Sequence, residues 1–113
     1  MALPNEKFEE IKSKIQNFID NEMVVHEDDF NINHKFADHL PFLEEKRNKV
    51  REMGLFAPQI SKEYGGLGLS LHQLGQIYEI LGKTFYGLYV FNCQAPDAGN
   101  MEILIEHGTD YQK

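Results

Sequence analysis

The sequence predicts an all-α fold, and three observations carry that prediction. Apolar residues recur at helical spacing in several separated stretches. No stretch alternates apolar with polar residues in the way of a half-buried strand. The periodic stretches are punctuated by helix start and stop residues. Four to six helices and no paired strand are expected.

The first helix carries Phe8, Ile11, Ile15, Phe18 and Ile19 on one stripe, with Glu, Lys and Gln between them. Pro4 suits its first turn, where a missing N–H costs nothing, and Glu6, Glu9 and Glu10 meet the positive end of the helix dipole. It is expected to run to about Val25. Residues His26 to His39 are polar, with Asn31, Asn33, His34 and Asp38 breaking any stripe, and read as a connecting loop. Pro41 opens the second helix. Leu43, Arg47, Val50 and Met53 fall to one side of it, Lys49 and Arg51 sit near its carbonyl end, and Gly54 stops it.

A loop from Leu55 to Leu69 leads to the third helix, which has the clearest start in the chain. Ser70 and Gln73 make a capping box. Leu71, Leu74, Ile77, Tyr78 and Leu81 form the stripe, and Gly82 ends it. The segment Phe85 to Ala95 is apolar nearly all round. Its β-branched and aromatic content would suit a strand, but no second strand is there to pair with it, so it reads as a buried central helix. Pro96-Asp97 marks a break or kink. A fifth helix with Met101, Leu104 and Ile105 closes at Gly108. Thr109 and Gln112 then form a second capping box, just before the last residue, Lys113. A start signal with no helix after it leads us to expect the N-terminal piece of a longer protein.

At 113 residues the chain holds one domain at most, and 42% hydrophobic with 26% charged residues suits a folded rather than a disordered one. No stretch approaches the roughly 20 apolar residues of a membrane span. No basic region followed by an apolar run opens the chain, so no secretory signal is seen and a cytoplasmic protein is expected. A net charge of −7, with Glu27, Asp28 and Asp29 consecutive, argues against a nucleic-acid partner.

Candidate chemistry is sparse. The histidines (His26, His34, His39, His72 and His107) show no ligand spacing, and no metal is expected. Cys93 is the sole cysteine; it cannot form an internal disulfide and reads as a buried structural thiol. Ser13, Ser61 and Ser70 lie in no nucleophile elbow. The segment Phe91 to Glu102 differs. An apolar helix that abruptly carries Asn92, Gln94, Asp97 and Asn100 is locally inconsistent, and such breaks often mark function. Phe91, Ala95 and Gly99 are four apart and would share one face if the helix continued, two of them small enough to leave room for something alongside. Close helix–helix packing plus a capped kink is the competing reading, and residues alone leave both standing.

The run Glu63-Tyr64-Gly65-Gly66-Leu67-Gly68-Leu69-Ser70 needs a backbone of unusual freedom. A phosphate-cradling loop is one use of such glycines. No strand precedes the run, though, and it lacks the Gly-Lys-Ser/Thr ending of a P-loop. A tight loop that packs Leu67 and Leu69 down and launches a helix at Ser70 is preferred. With Gly54-Leu55-Phe56-Ala57-Pro58 before it, Glu79-Ile80-Leu81-Gly82 after it, and Gly108-Thr109-Asp110-Tyr111-Gln112-Lys113 further on, the chain from Glu52 to Lys113 resembles the N-terminal helical domain of acyl-CoA dehydrogenases.

That resemblance implies an up-and-down-like helical bundle over residues 1–113. The flavin-binding β domain and the C-terminal helical domain would lie outside this chain. It implies a parent enzyme that uses FAD, removes the α-proton and β-hydride of an acyl-CoA thioester and passes electrons to an acceptor. It implies a homo-oligomer, in the mitochondrial matrix if the source is eukaryotic. The family's chain-length-determining positions fall on Phe91, Ala95 and Gly99, as substrate-binding residues. The catalytic carboxylate falls outside, so no residue here is expected to be catalytic, and this piece alone is not expected to bind FAD. A stand-alone helical binding module is the main alternative, and the unfinished cap at Thr109 argues against it. A small acyl carrier is a third reading, but the attachment serine motif is missing.

Overall fold

The structure, a computed structural model, describes residues 3–29 and 35–113. Helix α1 spans Asn5–Phe18, and the chain stays helical beyond it, as a π turn over Ile19–Met23 and a 3-10 turn over Val24–Asp29. Helix α2 covers Phe36–Glu52, α3 Leu71–Leu81, α4 Gly87–Val90 and α5 Asp97–His107. A 3-10 turn, Lys62–Tyr64, lies in the loop between α2 and α3. Among the described residues there is no strand, as the lack of alternating segments predicts. Helix α1 packs on α3, and α4 packs on both α2 and α3.

The predicted stripe of α1 supplies much of the core. Phe8, Ile15, Phe18 and Ile19 are buried, and Met23 joins them from the end of the π turn. They meet Leu43 and Val50 of α2, Ile77, Ile80 and Leu81 of α3, and Val90 and Phe91. The predicted start of α3 is present in full: Gln73 N–H donates to Ser70 Oγ at 3.1 Å and Ser70 N–H to Gln73 Oε1 at 3.1 Å. Gly54, at φ 75°, ends α2 as predicted. The glycine-rich loop packs Leu67 and Leu69 against the core. Its central residue, Gly66, sits where a Cβ would run into the Ile60 carbonyl, a steric reason for glycine.

Four expectations need correction. The helical path of α1 extends past Val25 to Asp29, but Val24 and Val25 are exposed because the stripe has by then rotated off the core. The loop expected over His26–His39 is shorter at both ends, and its positions 30–34, including His34, lie outside the described residues. The far end is shorter because helix α2 begins at Phe36 rather than Pro41. Lys35 N–H donates to Asp38 Oδ2 at 2.9 Å, the acidic residue at the third helical position closing the first turn. Pro41 is thus inside the helix, where it removes a single backbone hydrogen bond, to the Ala37 carbonyl.

The third correction concerns exposure within the predicted stripes. Leu71 is 85% exposed and Met53 41%. The inward place on the first turn of α3 belongs instead to Gln73, whose amide clasps Leu3: it accepts from Leu3 N–H at 3.2 Å and donates to Leu3 C=O at 2.9 Å. The fourth is the central helix. Of Phe85 to Ala95 only Gly87–Val90 is helical, Phe85 is 72% exposed, and Ala95 is exposed. Side chains from elsewhere satisfy the polar backbone groups that a longer helix would have used. Glu27 accepts from Thr84 Oγ1 at 2.7 Å and from Phe85 N–H at 2.8 Å, holding the entry to α4. Its exit is held from α2 and the loop after it.

Candidate functional site

The chain leaves α4 through Asn92, which adopts φ 57°. Asparagine tolerates this left-handed conformation better than most residues, and it turns the chain sharply. Three carbonyls exposed by the turn find donors. Tyr89 C=O accepts from Arg47 Nη1 at 2.9 Å, Phe91 C=O from Ala57 N–H at 2.8 Å, and Asn92 C=O from Gln59 Nε2 at 3.1 Å. Ala57 is itself at φ 53°, an uncommon conformation for a residue with a Cβ, and it aims its N–H at that carbonyl. Arg47 Nη2 reaches Asn92 Oδ1 at 3.4 Å, and the guanidinium lies over the rings of Tyr89 (4.4 Å) and Phe56 (5.1 Å).

This turn decides where the sequence-predicted site residues go. Phe91 is fully buried, edge-on to Phe18 with ring centroids 5.6 Å apart. Ala95 and Gly99 are exposed, Ala95 in the link after the turn and Gly99 in α5. The three therefore do not share the face of one continuous helix, a correction that follows from the break at Asn92. At Gly99 an added Cβ would meet no atom within 4 Å, so packing inside this chain does not require a glycine there. Cys93 is 5% exposed, and burial pushes its thiol up to about 12, as suits a structural thiol.

A cleft of about 270 Å³ lies between α5 and the 56–64 loop, with Phe56, Ile60, Met101, Leu104 and Ile105 among its walls. Helix α5 buries none of its residues, and Ile103 and Leu104 are exposed. A larger groove, about 580 Å³, runs between α1 and α2 past Lys14, Asn17, Glu22, Lys49 and Met53. Within it Glu22 accepts from Lys49 Nζ at 2.7 Å and from Lys46 Nζ at 3.0 Å, and these bonds hold its carboxyl below the usual carboxylate range. Among the described residues no three His, Cys, Asp or Glu side chains come together in a metal-binding group. No helix there is long and apolar enough to cross a membrane.

Sequence reasoning named Asn92 as out of place but missed Arg47 and Gln59. Its available signal was Arg47 itself, a cation on the apolar side of α2 between Leu43 and Val50. The second capping box is formed: Thr109 N–H donates to Gln112 Oε1 at 2.9 Å and Gln112 N–H to Thr109 Oγ1 at 3.3 Å.

Comparison with known proteins agrees with the motif order. A model of the family described as acyl-CoA dehydrogenase, N-terminal domain, matches residues 5–113. The chain is similar to acyl-CoA dehydrogenase family member 10 of Mus musculus, 39% identical over 79 residues, which is 65% of this chain and 7% of that protein. It is 48% identical over 72 residues to family member 11 of Mus musculus, 58% of this chain and 8% of that protein. It is 36% identical over 83 residues to the probable acyl-CoA dehydrogenase FadE2 of Mycobacterium tuberculosis, 68% of this chain and 19% of that protein. The chain thus spans under a fifth of the length of each. No solved structure matches.

Proposed function

The chain belongs to the acyl-CoA dehydrogenase family as its N-terminal helical domain, and from that premise we propose that it works within a flavin-dependent enzyme that desaturates acyl-CoA thioesters, where it supplies part of the acyl-chain pocket. The observation that carries the family reading is the match over residues 5–113. The pocket reading is supported by Ala95 and Gly99, two small and exposed residues, the second with open space where a side chain would go. Phe91 backs this segment from within the core rather than facing the acyl chain directly.

Desaturation needs a carboxylate to take the α-proton and an acceptor for the β-hydride. Among the described carboxylates, the one that the α1–α2 groove buries most closely, Glu22, is committed to two lysines. That groove is lined mainly by charged and amide side chains, and its one aromatic residue, Phe18, is buried. On this reading FAD and the base belong to other parts of a longer polypeptide, and the electron acceptor is a separate partner. The same reading makes the parent enzyme a homo-oligomer, cytoplasmic or in the mitochondrial matrix.

The test uses the complete polypeptide that the gene encodes, purified and assayed with straight-chain acyl-CoAs of increasing length and an artificial electron acceptor. A flavin absorbance spectrum and turnover are expected. Ala95→Phe should shorten the longest acyl-CoA accepted, each excluded methylene being worth about 0.8 kcal/mol, or roughly fourfold in kcat/KM. A colourless, inactive polypeptide would refute the enzyme reading. Overlaid chain-length profiles for parent and variant would refute the pocket reading alone.

A further inference from the structure

We propose that Arg47, although it lies in α2 away from Ala95 and Gly99, is a positioning residue that sets the acyl-length specificity of the enzyme. The inference rests on the reading that Ala95 and Gly99 face the acyl chain. The geometry is that of a bracket. The direction in which the chain leaves α4, and so the place of Ala95 and Gly99, is fixed at the turn through Asn92. Beside the turn's own bond from Asn92 N–H to Tyr89 C=O at 3.0 Å, three of its carbonyls are held by donors from α2 and the loop following it.

Arg47 is the member of the bracket that grips two points at once. Nη1 takes the Tyr89 carbonyl near the end of α4 and Nη2 the Asn92 side chain at the left-handed residue. Its planar fork is held flat by the Tyr89 and Phe56 rings, with its side chain only 12% exposed. A lysine has one point charge and no plane, so it cannot span the two acceptors in this way. The third nitrogen, Nε, is buried without a hydrogen-bond partner, and its ion pair with Glu44 Oε1 is long, at 3.8 Å. A residue present only to stabilise the core would be poorly served by such an orphan, whereas one whose fork must point at Tyr89 and Asn92 accepts it.

The bracket predicts a change in selectivity. Loosening the turn would shift the wall that meets the far end of a long acyl chain and leave the reacting end of a short one undisturbed. A mere loss of stability would lower the amount of active enzyme and depress every substrate equally. The complete polypeptide is therefore compared as parent, Arg47→Met, Arg47→Lys and Asn92→Gly. The glycine keeps the left-handed turn at no steric cost and removes only the side-chain acceptor, so it tests the same grip even if Arg47→Met fails to fold.

The readout is the ratio of kcat/KM for the longest acyl-CoA the parent accepts to that for the shortest. Arg47→Met should change this ratio by about tenfold, since misplacing a substrate-positioning group by about an ångström can cost up to a hundredfold. Arg47→Lys should lie between it and the parent, and Asn92→Gly should shift in the same direction by less. An unchanged ratio in the soluble variants, whether activity is kept or falls uniformly, overturns the inference. If the parent itself shows no acyl-CoA dehydrogenation, the underlying reading fails and this inference falls with it, an outcome plainly separate from an active parent whose ratio does not respond.

Discussion

Replacing Gln73 by alanine should destabilise the domain far more than an ordinary change at a helix start. The Gln73 side chain makes three hydrogen bonds in a site only 6% exposed: from Leu3 N–H, to Leu3 C=O and from Ser70 N–H. At about 1 kcal/mol net for each, their loss comes to about 3 kcal/mol. An independent route gives a similar figure. If the N-terminal strap peels away instead of keeping unpaired polar groups buried, Leu3, now 7% exposed, surrenders the roughly 2 kcal/mol of its burial along with the lost cap bond. For a domain of this size, about 3 kcal/mol corresponds to roughly 10–20 °C in Tm. Gln73→Glu separates the two jobs. It keeps acceptors for Ser70 and Leu3 N–H but loses the donor to the Leu3 carbonyl and turns a carboxylate oxygen towards it, so a fall of at least about 1–2 kcal/mol is expected at neutral pH. Thermal and urea unfolding followed by circular dichroism would measure both. A Gln73→Ala protein melting within about 3 °C of the parent would show the clasp to be incidental.

Other outcomes follow from single contacts. Gly66→Ala should cost at least about 2 kcal/mol, because the new Cβ must displace the Ile60 backbone; Gly75→Ala, in α3 with nothing within 4 Å of its Cβ, should gain up to about 1 kcal/mol, and equal effects in urea melts would count against the steric argument. Glu22 has a folded pKa lowered by Lys49 first and Lys46 second, so its stabilisation is present above its unfolded pKa and lost as pH falls through the folded value. Glu22→Gln should therefore be less stable than the parent at neutral pH and converge with it in acid, and a constant gap at every pH would contradict the pairing. Cys93, buried and pushed up to about 12, should react with a thiol reagent at least about a thousandfold more slowly than free cysteine until the protein is unfolded; prompt labelling of the native chain would refute its placement.

The parts of this fold that were legible in the sequence are those decided by neighbours along the chain. The Ser70–Gln73 and Thr109–Gln112 boxes, the Gly54 stop and the stripe from Phe8 to Ile19 are local, and each stands in the structure where it was read. The first turn of α2 was equally local, but Asp38 closes it behind a lysine, not behind one of the usual capping residues. The segment from Phe85 to Ala95 was misread for a different reason. Its composition reports burial correctly for Val90, Phe91 and Cys93, but its shape depends on Glu27, Arg47, Ala57 and Gln59, which no pattern within the segment reveals. For the candidate site, small residues at 95 and 99 were visible, and the turn that places them was not.

The four-residue length of α4 carries a consequence for the order in which the molecule assembles. A single helical turn lies well below the length at which a helix sustains itself in water, since nucleation costs more than one or two backbone bonds return. The groups that hold its two ends are far off in the chain: Glu27 is separated from Phe85 by 58 residues, and Arg47 from Tyr89 by 42. Helices α1, α2 and α3 can begin from their own stripes and caps within microseconds, but α4 has no template until α2 is docked and the 24–29 turn is in place. It is therefore a late structure, closing long loops after the rest of the core has condensed, and the first to be released when that core loosens.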